Sequence, residues 1–69
     1  MKKNYRLILS TKIFHVSEYD YKRINRYLDL VNSYLNSYDN KDTIIGSLEE
    51  RIAKILIKNG SEYEKNPNN

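Results

Sequence analysis

Cysteine is missing from this chain, histidine occurs once (His15), proline once (Pro67) and glycine twice (Gly46 and Gly60). Without cysteine there is no disulfide framework and no thiolate metal site, which fits a reducing compartment. A single imidazole does not make a metal site by itself, and no Asp or Glu stands at a ligand spacing from His15. The sequence-based expectation for His15 is a half-buried side chain making one or two hydrogen bonds. Two isolated glycines exclude a glycine-rich phosphate loop, and no nucleophile elbow or metal motif is present. Long apolar runs are also missing. Leu7-Ile8-Leu9, after the basic start Met1-Lys2-Lys3-Asn4, is far too short for a secretory signal, and no stretch nears the roughly 20 apolar residues of a membrane span. These absences predict a cytoplasmic chain with no catalytic residues, no cofactor, no metal and no small-molecule substrate.

What is present is a chain of 69 residues, which bounds it to one small domain. A core of that size barely offsets the entropy of ordering the chain. With disulfides and metals excluded, association with itself or another protein is the expected support. Twelve basic against nine acidic residues give a net charge of +3 and a pI near 9.2. The cations are interleaved with acids, and only Met1 to Arg6 and Lys22-Arg23-Arg26 form local clusters. A solvated surface is favoured over a phosphate-binding stripe, which concentrates charge on one face.

Tyr5 to Ser10 and Lys12 to Val16 are rich in β-branched and aromatic residues around Ser10-Thr11, predicting a hairpin or bent strand within about residues 4–16. Ser17 opens a helix over about 17–38: its hydroxyl is placed to accept a free backbone N–H, and Asp20 adds an acid near the positive helix end. Tyr21, Ile24, Leu28, Val31, Leu35 and Tyr38 follow at spacings of three and four, on one face. A second helix over about 42–58 carries Ile44, Ile45, Leu48, Ile52, Ile55 and Leu56 on its inner face, tolerates Gly46, and offers Glu50 and Lys54 as an i,i+4 pair. Asn59-Gly60 supplies a left-handed stop. Residues 61–69 read as a disordered polar tail. The expected fold is α+β, ordered ββαα, over residues 1–60, with antiparallel helices closing one core.

Two apolar stripes lie outside these faces. Tyr27, Leu30 and Tyr34 border the core stripe of the first helix, and tyrosine is enriched where surfaces meet. Gly46, Ala53 and Ile57 form a weaker stripe on the second helix, where small residues permit close approach. Both are candidate interfaces. Glu49 and Glu50 point about 100° apart on a helix and do not form a facing acid–base pair.

The run Phe14-His15-Val16-Ser17-Glu18, then Tyr21, Ile24 and Tyr27-Leu28, and later Ile44-Ile45 with Leu48-Glu49-Glu50-Arg51-Ile52-Ala53, resembles the N-terminal domain of phage-shock-protein-C-like (PspC-like) proteins of Bacteroidetes-type bacteria. The resemblance covers Lys2 to about Lys58 and rests on packing and capping positions. It implies a cytoplasmic module attached to membrane-embedded segments, in proteins of the envelope-stress response that regulate through protein contacts. This sequence departs from the family in its polar tail without a membrane segment, in Ser17 at a usual acid, in Gly46 inside the second helix, and in Lys54 where an acid is common. It reads either as an excised domain or as a free-standing relative.

The leading expectation is therefore a non-catalytic, self-associating interaction or regulatory module of a stress response. One alternative is a free-standing inhibitor or decoy, of phage or mobile-element type, acting by protein binding. The other is a small nucleic-acid-binding protein with Lys2, Lys3, Arg6, Lys22, Arg23 and Arg26 on phosphates.

Overall fold

The computed structural model describes residues 4–67. Strand β1 (Tyr5–Leu9) and strand β2 (Lys12–Val16) form an antiparallel hairpin in which Leu9 pairs with Lys12, leaving Ser10-Thr11 as a two-residue turn. Ser10 takes the positive φ of 57° that such turns demand at their first central position, a conformation costly for any residue with a Cβ. Two bonds hold the turn: the Ser10 N–H donates to Glu49 Oε1 at 2.9 Å, and the Thr11 carbonyl accepts the Asn66 N–H at 2.8 Å.

Helix α1 (Glu18–Tyr34) starts as the sequence predicts, with the Ser17 hydroxyl accepting the Asp20 N–H at 3.2 Å. It ends four residues before its predicted limit. The last turn has no basic side chain to meet the helix carbonyls, and Asn36-Ser37 turn away through i→i+3 bonds such as Tyr38 N–H to the Leu35 carbonyl. Tyr38 therefore leaves the core stripe and is exposed, whereas Leu35 at the helix end is buried. Helix α2 (Lys41–Lys58) runs unbroken through Gly46. It closes in a Schellman motif: Gly60 N–H bonds the Ile57 carbonyl and Ser61 N–H the Leu56 carbonyl, with Gly60 at φ 85°.

That reversal sends the chain into strand β3 (Glu62–Lys65), which pairs antiparallel with β2 in the sheet order β1-β2-β3. The order of elements is thus ββααβ. The architecture is α+β as predicted, but the ββαα order is corrected, and so is the disordered tail over residues 61–67, residues 68–69 lying outside the described residues. Three charged residues in four give β3 little intrinsic strand preference. Its conformation comes from the open side of β2 and from Tyr63, whose ring lies 5.4 Å from that of Phe14.

Leu7, Leu9, Phe14 and Val16 on one sheet face meet Ala53 and Leu56 of α2, with Tyr5, Tyr21, Ile24, Leu28 and Ile52 packed around them. Tyr5 and Tyr21, 5.0 Å between ring centroids, tie β1 to α1. Arg6, Ile8, Ile13, His15, Glu62 and Glu64 occupy the other face, by the alternation of side chains along each strand. Among the described residues, no helix is long and apolar enough to cross a membrane.

Candidate functional site

Helix α1 buries none of its residues fully, although four of its positions, Tyr21, Ile24, Leu28 and Val31, were expected to face a core. Its contact with the rest of the molecule is a partial one, through Tyr21, Ile24 and Leu28. Beside that seam an open groove of about 560 Å³ runs between the helices. Ile24 and Tyr27 of α1 and Leu48, Ile52, Ile55 and Leu56 of α2 line it, and Asp20, Arg23, Arg51 and Asn59 are its polar lining residues.

The predicted stripe on α1 is where the sequence placed it. Tyr27 lies in the groove, and Leu30 (62% exposed) and Tyr34 (77% exposed) continue the apolar surface along the helix. The predicted stripe on α2 breaks up. Ala53 is a core residue, its small side chain letting α2 come close to the sheet. Gly46 has open space where a Cβ would project, so no close approach depends on it. Ile57 is partly exposed and lines a smaller hollow of about 180 Å³ beside the hairpin turn.

Ile55, expected on the inner face, is 57% exposed and stands on the groove wall instead. The helix is rotated so that Ile52, Ala53 and Leu56 meet the sheet side. The residue pattern carries no warning of this, because apolar residues surround α2 on most of its circumference. Ile55 and Arg51 are groove residues to which sequence reasoning gave no site role.

The predicted phosphate contacts are not gathered. Arg6 lies on the sheet face opposite the helices, whereas Lys22, Arg23 and Arg26 belong to α1. Lys22 Nζ is 3.0 Å from Glu18 Oε2, and the Arg23 guanidinium sits 5.3 Å from the Tyr19 ring centroid. Hydrogen bonding to Lys22 and the charge of that ammonium hold the Glu18 carboxyl below its ordinary value, and the same contacts raise Lys22. Lys2 and Lys3 lie outside the described residues.

His15 is half-buried, with Nε2 2.9 Å from Glu64 Oε2. Glu49 holds the hairpin turn rather than facing Glu50. Besides the His15–Glu64 contact, Lys22–Glu18 is the ion pair within 4.0 Å among the described residues, so the expected Glu50–Lys54 pair is not formed. Among the same residues no three His, Cys, Asp or Glu converge as a metal site would require. The arrangement offers shape, apolar area, two guanidinium groups and the Asp20 carboxylate. No family model, no curated protein and no solved structure matches the chain.

Proposed function

We propose that this chain is a non-catalytic protein–protein interaction module of regulatory type that associates with itself and uses its helical layer as the contact face for a partner helix. One observation carries the reading: α1 has no buried residue, yet presents Tyr27, Leu30 and Tyr34 beside an apolar groove. Laying an amphipathic helix into a groove between two helices is a recurring recognition mode, read through apolar anchors at i, i+3 or i+4, and i+7. Arg23 and Arg51 favour a partner with acidic residues flanking those anchors. Kinship with the N-terminal domain of PspC-like proteins, a cytoplasmic setting and a role in envelope-stress regulation belong to the same proposal and rest on the resemblance of the core and capping residues.

The test is selection from a random peptide library, followed by NMR mapping of the recovered peptides on the labelled chain. The expected peptides are amphipathic helices with acidic flanks that shift the amides of Arg23, Tyr27, Arg51 and Ile55. Ile55→Asp should weaken them by about tenfold or more, the loss of one central anchor. Failure to select any helix, or mapping to the sheet instead of the groove, overturns the helical contact face.

A further inference from the structure

The two edges of the sheet are built differently. Strand β3 has four residues, three of them charged, and Pro67 follows it closely. Short length, charge and proline are the devices by which natural sheets blunt an edge against further pairing. Strand β1 is less protected: Tyr-Arg-Leu-Ile-Leu is five residues with one charge, Arg6, and no proline, and its φ values are all negative.

The direction of the β1 backbone follows from the ladder. The bond from Asn66 N–H to the Thr11 carbonyl extends the β2–β3 pairing of Ile13 with Glu64 and His15 with Glu62, so Thr11, Ile13 and His15 point their backbone groups toward β3. Lys12, Phe14 and Val16 then point theirs toward β1, where Leu9, Leu7 and Tyr5 oppose them. The backbone N–H and C=O groups of Arg6 and Ile8 are left on the open edge. Ile8 is also the exposed apolar side chain of that edge, at 57%, next to Ile13, which is 3% exposed on the same sheet face.

We propose that the open edge of β1 is a homodimerisation edge, at which a second copy of this chain adds its own β1 antiparallel and joins two three-stranded sheets into one. A two-fold axis at Leu7 sets Arg6 opposite Ile8 of the second copy and Tyr5 opposite its Leu9, so every outward amide of one strand meets an outward carbonyl of the other. The two Arg6 side chains are kept apart, each packing its aliphatic stem on an isoleucine. The row of Ile13 and Ile8 then continues into Arg6 and His15 of the second copy, and the two Ile8 side chains are diagonal neighbours across the axis. This places the self-association named in the functional reading on a face separate from the groove.

The test is amide hydrogen exchange of the full chain at rising concentration, beside light scattering of the wild type, Ile8→Lys and Leu30→Asp. The expected result is a wild-type dimer whose Arg6 and Ile8 amides slow by about tenfold or more as it forms, a monomeric Ile8→Lys of unchanged helicity, and a dimeric Leu30→Asp. If Ile8→Lys fails to fold, exchange of the wild type still decides. A dimer whose Arg6 and Ile8 amides stay unprotected, or one abolished by Leu30→Asp, overturns the strand edge and leaves self-association standing on the helices. A chain that stays monomeric at every concentration overturns self-association altogether, while peptide binding in the groove is judged by its own experiment.

Discussion

Single residues in this molecule act mainly by fixing backbone where the sequence does not favour it. Ser10 adopts a positive φ without being glycine, and the Glu49 carboxylate secures its N–H from 39 positions away. A hydrogen bond to a charged acceptor contributes about 1.5–3 kcal/mol when well shielded and less when half-exposed. Glu49→Ala should therefore lower stability by about 1–2 kcal/mol, read as a reduced denaturant midpoint at unchanged slope, and Glu49→Gln should lose less because it keeps an acceptor. At the start of α1, Glu18 and Lys22 make a prediction about pH. The folded-state value of Glu18 lies below the ordinary 4.5, so its contribution is present above that pH and is lost as pH falls through the lowered value. Lys22, raised above 10.5, contributes below that pH and ceases to as pH rises through its own value. Both groups are fully exposed, so the effect is a small one that salt screens. An NMR titration should place the Glu18 carboxyl below 4.5 and return it to that value in Lys22→Met.

At the scale of elements, what was legible depended on local signals. The Ser17 cap and the stop at Asn59-Gly60 each follow from one or two residues with a defined backbone preference, and the structure has both; Ser10-Thr11, which left a hairpin and a bent strand open, forms the hairpin without a glycine, and α2 continues through Gly46. Strand β3 was illegible because Glu62-Tyr63-Glu64-Lys65 becomes a strand only by pairing with β2, which is distant in sequence, as where Glu64 pairs with Ile13. The rotation of α2 was illegible for another reason. Ile44, Ile45, Leu48, Ile52, Ile55, Leu56 and Ile57 cover so much of the helix that pattern does not choose a face, and the small Ala53 decides it by permitting close approach to the sheet. Of the groove lining, the spacing of Tyr27, Leu30 and Tyr34 singled out Tyr27 alone, while Ile55 on the α2 wall went unmarked. Gly46 gives the element-scale prediction. It lies inside a helix without a positive φ, and no atom stands within 4 Å of the place an alanine methyl would take, so Gly46→Ala should stabilise the fold by about 0.5–1 kcal/mol. The same variant should leave assembly unchanged, since neither the groove lining nor the β1 edge includes this position. A loss of assembly would restore the predicted Gly46 surface.

For the whole molecule, shape and stability point the same way. Its radius of gyration is 12.5 Å, with extents of 41 × 23 × 22 Å. A compact domain of this length has a radius of about 11 Å. Helix α1 leaves Leu30 and Tyr34 exposed, and a 69-residue chain has little stability to spare for unsatisfied apolar area. Mass action then makes stability depend on concentration, because a partner that binds only the folded state draws the equilibrium toward it. For a dimer of so small a domain, each tenfold rise in concentration should lift the thermal midpoint by about 3–5 °C. Ile8→Lys should flatten that dependence and unfold at the low-concentration limit of the wild type, whereas Leu30→Asp should keep the slope. A thermal midpoint constant over three decades of concentration in the wild type would mean that the sheet and the two helices hold together alone, and that the uncovered length of α1 is reserved for a different protein.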